Sequence, residues 1–258
     1  MASKDMSSYW KNNFFHRIFL PYFDVRKFSI SIKNTPRYLV NLIKYMRRSK
    51  QNLLSYNLYP ILNESTPTTG VDYHYLYQQI WVFQEVFKRK PKSHLDIGST
   101  YQMSCYLASI TKATFLDIRP ITVQIKNLKA LSGDIVNLPL KDNSIESLSC
   151  LHVIEHIGLA RYGDQLDVNG SERACRELAR VLKPGGYLYL STPIGKETIC
   201  FNAHRIFNPH SIKNYFGNLE LEDFSVVDDS GLLLKNVKLS SYENLGYGLG
   251  MFLFKKTK

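Results

Sequence analysis

The 258-residue chain has little cysteine: Cys105, Cys150, Cys175 and Cys200 are widely spaced and no two form a CxxC pair. That excludes a thiolate zinc module and a disulfide-built scaffold, and it suits reduced packing residues in a reducing compartment. Long apolar runs are missing as well. The longest, residues 14–23, is broken by His16 and Arg17 and is too short to cross a bilayer. It lacks a small-residue cleavage site, which argues against a secretory signal. No internal repeat or low-complexity tract is present, so repeat architectures fall away. Acidic residues are nearly absent from the first fifty positions, where eleven Lys or Arg face only Asp5 and Asp24. The other 208 residues carry 22 basic and 20 acidic side chains, so the formal charge of +11 belongs to the start of the chain.

What is there divides at about residue 71. Residues 1–71 form a basic, aromatic-rich extension and linker, and residues 72–258 a single α/β domain. The extension mixes its bases with Tyr9, Trp10, Phe14, Phe15 and Phe19. This pattern suits an interfacial anchor on anionic lipid, and it suits equally a helix packed on a protein partner with its bases solvated. No nucleic-acid module accompanies the bases, so nucleic acid is the poorest of the three partners. The expected location is cytoplasmic, at most peripheral to the inner membrane face.

Within the domain, Asp72 can cap a helix over 72–88 with Leu76, Ile80, Phe83 and Phe87 on its inner face. Its start, Tyr73-His74-Tyr75, is positioned to overhang a ligand. The stretch Ser93-His94-Leu95-Asp96-Ile97-Gly98-Ser99-Thr100 then reads as a buried strand, an acid, a sharp glycine turn and the start of a helix over 103–110. In open α/β sheets this unit faces a nucleotide beyond the strand ends. A second strand ends at Asp117, where an acid accepts hydrogen bonds from ribose hydroxyls or else serves as a cap. A third strand over 128–132 leads to Gly133-Asp134-Ile135. Asp134 is placed to accept an adenine amine while the Ile135 N–H meets a ring nitrogen, and it is equally placed as a turn residue.

The fourth strand, from Ile145, delivers His152, Glu155 and His156 to the same edge. A long polar loop over 158–170, carrying Arg161 and Tyr162, follows. An amphipathic helix over 171–182 ends at Lys183-Pro184-Gly185-Gly186, where a left-handed glycine would terminate it. A fifth strand over 187–191 and a segment Phe201-Asn202-Ala203-His204-Arg205-Ile206-Phe207, with its polar centre aimed at a site, come next. Strands over 219–228 and 247–254 make a closing antiparallel pair, giving seven strands in all. The stretch 229–244 between them has no legible structure. No spacing demands a metal.

The ordered pair GDIVNLPLKDNSIESLSCLHVIEHI and RELARVLKPGGYLYLSTP resembles the class I SAM-dependent methyltransferases. The resemblance implies a doubly wound, mostly parallel, seven-stranded Rossmann-like sheet. The family's D-x-G-x-G-x-G turn appears as Asp96-Ile97-Gly98-Ser99-Thr100-Tyr101-Gln102, which keeps one glycine of three. The pieces HLDIGST, CLHVIEHIGLARYGD and FNAHRIF look like a bacterial group of methyltransferase-like proteins of unassigned function, often encoded among surface-polysaccharide genes. The resemblance implies that S-adenosyl-L-methionine meets Asp96, Gly98 and Ser99, that Asp117 takes the ribose, and that Asp134 with Ile135 takes the adenine. The expected acceptor is a glycan or glycan precursor. His156 is the first choice of base, with Glu155 as orienting or alternative base and His152 next. Arg161, Tyr162, His204 and Arg205 would line the acceptor side. The competing expectation is a catalytically inactive module that docks a polysaccharide system, motivated by the missing glycines.

Overall fold

The computed structural model describes residues 24–49 and 57–257. The aromatic stretch 14–23 lies outside them. The chain divides into two compact units at Val71/Asp72.

In the first unit, helix α1 (Val25–Ser49) has seven Lys or Arg and no acid. It carries Pro36, which lacks an amide hydrogen, and Thr35 Oγ1 turns back to the Ser31 carbonyl at 2.8 Å. Asn34 donates to the Leu62 carbonyl at 2.6 Å and Arg37 to Ser65 at 2.9 Å, fastening the segment after residue 57 along its polar side.

The second unit opens with α2 (Tyr73–Arg89), capped by the Asp72 carboxylate, which accepts from the His74 and Tyr75 amides. Then come β1 (Ser93–Ile97), α3 (Tyr101–Leu107), β2 (Lys112–Asp117), β3 (Leu128–Ser132), β4 (Ile145–Leu151), α4 (Gly170–Val181) and β5 (Leu182–Ile194). A hairpin of β6 (Thr198–Cys200) and β7 (His204–Ile206), α5 (Pro209–Tyr215), β8 (Glu220–Val227), β9 (Leu233–Leu234) and β10 (Gly248–Lys255) complete it. The main sheet has eight strands in the order β3-β2-β1-β4-β5-β10-β8-β9. β1 to β5 run parallel, and β10 inserts antiparallel between β5 and β8. The two-residue β9 on the edge is the strand beyond the seven expected.

Alternation along the strands builds two cores. Leu95, Ile97, Leu148, Cys150, Leu188, Leu190, Phe252 and Phe254 pack with Ala174, Cys175 and Leu178 of α4. On the opposite face Leu151, Tyr189 and Leu253 meet Val82 and Val86 of α2 and Met103 and Leu107 of α3. Each fully buried aliphatic side chain contributes about 1.5–3 kcal/mol. The order reverses between β1 and β4, which opens a crevice beyond their carboxyl ends.

Three sequence expectations change here. The buried face of α2 is His74, Gln78, Val82 and Val86, a four-residue stripe, while Leu76, Ile80 and Phe87 are exposed. Gln78 is accommodated because its side-chain carbonyl accepts the Ser191 hydroxyl. Secondly, α4 has no left-handed end: Leu182 is already extended and begins β5. Gly185, at φ 76°, and Gly186 form a bulge there, between the pairings Ile145 with Leu182 and Ser147 with Tyr187. Lys256 caps α4 instead, donating from Nζ to the Ala179 carbonyl at 2.8 Å. Thirdly, the Phe201–207 segment is mostly a hairpin turned at Asn202, at φ 60°. The stretch 229–244 holds β9 and a 3₁₀ turn over Leu239–Tyr242.

Candidate functional site

The crevice is a cavity of about 610 Å³, within the range of small-molecule sites, bordered by Gly98, Asp117, Asp134, Ile135, His152 and His156. Gly98 sits at φ 63°, where a side chain would come within 3.1 Å of Val153 Cγ1. Its amide donates to the Leu116 carbonyl at 2.9 Å, tying the turn to β2. Asp117 accepts from the Arg119 amide at 2.7 Å, and Asp134 from the Val136 amide at 3.0 Å. Each therefore closes a local turn and also presents its carboxylate at the cavity. Ile135 is buried and Ile118 is 40% exposed; together with Leu116 they give the wall an apolar side.

Asp96 and Ser99, expected on the ligand, are turned inward. Asp96 is fully buried and accepts from Ser104 at 2.8 Å and from Ser149. Burial pushes its carboxyl up to about 6, against the pull of those hydroxyls. It shares its face of the sheet with His94, whose ring bridges Ser147 and Ser149 at 2.7 and 2.9 Å. Ser99 Oγ accepts the Leu151 amide at 3.1 Å, and Thr100 Oγ1 accepts from Gln79 at 3.0 Å. The Ser99 hydroxyl and that of Thr100, which stands where the family has its second glycine, thus join the turn to β4 and α2.

A second cluster stands at the ends of β4 and β5. His152 adopts φ 56°, and its amide donates to the Ser191 carbonyl at 2.9 Å. Its ring is stacked between His74 and Tyr75, with centroids at 5.6 and 5.2 Å, and His74 stacks in turn on Tyr247 at 5.2 Å. His152 Nδ1 lies 2.6 Å from Glu155 Oε1. His152 Nε2 is buried without a hydrogen-bond partner, on a residue that borders the cavity.

Glu155 is wholly buried and accepts the Thr192 hydroxyl at 3.2 Å on its other oxygen. Burial alone would raise its pKa, but His152 and His156 together hold it below the usual carboxylate range. The carboxylate is therefore ionised and the Nδ1 proton of His152 is pinned, leaving Nε2 as the base when the ring is neutral. His156 is oriented differently. Its Nδ1 donates to the Ala203 carbonyl at 2.7 Å, and its Nε2 is 3.9 Å from Glu155 Oε1. Burial lowers its pKa.

Tyr162 borders the cavity, flanked by the guanidinium groups of Arg119 at 4.5 Å and Arg161 at 5.0 Å from its ring centroid. Arg161 also donates to the Ala203 carbonyl at 2.9 Å. Asp164 staples the loop by accepting from the Gly158 and Tyr162 amides. His204 is buried against Tyr247 and does not border the cavity; burial holds its ring down at about 4. Arg205, expected on an anion, is 8% exposed and donates to the Ile157 carbonyl at 2.6 Å and Ser171 at 3.0 Å, bracing the base of the loop. Among the described residues no group of three or more His, Cys, Asp or Glu is placed to hold a metal.

Sequence reading missed Thr192, Tyr247 and Arg119. Tyr247 carries no local signal. It arrives because β10 pairs antiparallel with β5, setting Gly248 opposite Ile194 at the crevice end.

The family model described as "Caenorhabditis protein of unknown function, DUF268" matches residues 139–255, less than half the chain. An uncharacterized protein of Methanocaldococcus jannaschii is 27% identical over 140 residues, which are 52% of this chain. The chain spans about half, 55%, of the length of that curated relative. Among solved structures, the YcgJ protein of Bacillus subtilis is similar at a TM-score of 0.52 and 13% identity, covering 71% of this chain and 99% of that one. A candidate methyltransferase from Thermobifida fusca is similar at a TM-score of 0.51 and 16% identity, covering 72% and 81%. At such identities the likeness is one of fold, and the fold is the Rossmann-like α/β sheet of the class I SAM-dependent methyltransferases.

Proposed function

We propose that this chain is a SAM-dependent methyltransferase that O-methylates a sugar or surface-polysaccharide precursor. The observation that carries the reading is the meeting of two half-sites in one cavity. Gly98, Asp117, Asp134 and Ile135 form a nucleoside-shaped wall, and the His152–Glu155 pair stands on the same crevice with an unpaired nitrogen. The residues present fit the cofactor: a left-handed glycine clears the approach, and two carboxylates stand at neighbouring strand ends. Bound there, S-adenosyl-L-methionine supplies an electrophilic methyl carbon.

The rest is the work of the protein's own groups. Asp117 accepts the ribose hydroxyls, Asp134 the adenine amine, and the Ile135 amide meets a ring nitrogen. His152 Nε2 takes the proton of the acceptor hydroxyl, a weak nucleophile that gains from a positioned general base. Glu155 holds the His152 Nδ1 proton and stabilises the imidazolium that results. His152 therefore replaces His156 as the favoured base, because His156 spends Nδ1 on Ala203 and has Glu155 beside Nε2. Tyr162 and Arg161 close the acceptor side.

The sugar acceptor rests on the resemblance of HLDIGST, CLHVIEHIGLARYGD and FNAHRIF to proteins encoded with polysaccharide genes. Mass spectrometry of the host glycan with and without the gene tests it. We expect a difference of one CH₂, restored by the gene and not by its His152→Ala form. Identical glycans would overturn the acceptor. The second reading is a catalytically inactive docking component. It is favoured by Ser99 and Thr100, whose hydroxyls are engaged within the protein. It predicts normal glycan assembly from the His152→Ala form.

A further inference from the structure

Helix α1 carries charge of one sign only. Its seven basic residues have no acid among them, and its neighbour in its own unit, the segment bonded through Leu62 and Ser65, runs along Asn34 and Arg37. At 3.6 residues per turn Ile32, Leu39 and Ile43 share one side, with exposures of 58%, 49% and 50%. Lys33, Lys44 and Arg48 line the adjoining side and are exposed. A strip of solvent-facing aliphatic groups beside a predominantly basic strip is costly in water, yet it matches the acyl–headgroup boundary. It is too polar to insert: among the described residues no helix is long and apolar enough to cross a membrane.

We propose that α1 lies in the surface of an anionic bilayer, with Ile32, Leu39 and Ile43 at acyl-chain depth and Lys33, Lys44 and Arg48 on the headgroup phosphates. The apolar strip decides between polyanions, since a nucleic-acid backbone has no use for it. This placement is independent of whether the second unit methylates anything.

The test is co-sedimentation of the full chain with phosphatidylcholine vesicles and with mixed phosphatidylcholine–phosphatidylserine vesicles. The intact protein is expected to pellet with the anionic vesicles only, and less so as salt rises. Each surface base strengthens partitioning roughly fivefold, so the Lys33→Gln, Lys44→Gln, Arg48→Gln variant should bind about a hundredfold more weakly. Ile32→Ser, Leu39→Ser, Ile43→Ser should lose at least about tenfold. Circular dichroism with unchanged melting of the α/β unit shows that the variants are folded. Absence of vesicle binding, equal binding by either triple variant, or capture by short duplex DNA in preference to the anionic vesicles would overturn the proposal.

Discussion

Replacing Glu155 with Gln isolates what the buried carboxylate does for His152. The side chain has no solvent exposure, and its partners at 2.6 and 3.2 Å are the His152 ring and the Thr192 hydroxyl. Gln preserves the shape: its carbonyl can accept the Nδ1 proton and its amide can donate to Thr192. What disappears is the charge. A hydrogen bond to an ionised group contributes about 1.5–3 kcal/mol, against about 0.5–1.5 for a neutral one. The imidazolium formed as the acceptor gives up its proton should therefore lose about 1.5 kcal/mol of support, or roughly tenfold in rate. Removing the base altogether by His152→Ala should cost about a hundredfold to ten-thousandfold. Neither change should alter the Michaelis constant for SAM, because neither residue belongs to the nucleoside wall. Stability of Glu155→Gln should fall modestly, since the two histidines hold the native carboxylate below its usual range and its charge therefore favours the folded state. The assay is initial transfer of labelled methyl groups to glycan from a strain lacking the gene, beside a thermal melt. Wild-type rates in both variants, with the loss appearing in His156→Ala instead, would refute the assignment.

Two further predictions follow from buried groups. Burial lowers His74 to about 4 and His94 to about 3, while it raises Asp96 to about 6. Below the ordinary histidine pKa the unfolded chain takes up protons that the native rings refuse, at a cost of about 3 kcal/mol for each ring by pH 4; native protonation of Asp96 returns about 2 kcal/mol by the same pH. Urea midpoints should accordingly fall from pH 7 to pH 4, equivalent to a net loss of about 4 kcal/mol, to which the lowered His204 adds, and an unchanged or rising midpoint would contradict those burial effects. Gly98→Ala should lose about 1–2 kcal/mol to its left-handed backbone, roughly 2–8 °C in melting temperature, besides pressing on Val153. An unshifted melt would show that the turn can relax.

Much of this was legible because the informative signals were local. The β1 strand, its glycine turn and the acids at the ends of β2 and β3 announce themselves through short-range pattern. The inner face of α2 was only partly legible: of the expected stripe Phe83 packs against the core, while Leu76, Ile80 and Phe87 are exposed. The buried stripe hides His74 and Gln78, whose polarity is absorbed by partners far along the chain. Lys183-Pro184-Gly185-Gly186 reads as a helix stop, but pairing with Ile145 draws Leu182 into the sheet, so the glycines absorb a bulge. Asp96 faces inward because serines on α3 and β4, eight and 53 positions away, supply its donors. The His152–Glu155 pair was visible as composition. Which histidine kept a nitrogen free depended on Ala203, brought close by a hairpin where the sequence reads only as a connecting segment aimed at a site.

The most direct test is calorimetric titration of the full-length protein with S-adenosyl-L-methionine, beside its Asp117→Ala form. Saturable one-to-one binding by the parent, and its loss in the variant, is the predicted result. Absence of heat with the parent, or equal affinity in the variant, would mean that the cavity between β1 and β4 does not hold this cofactor.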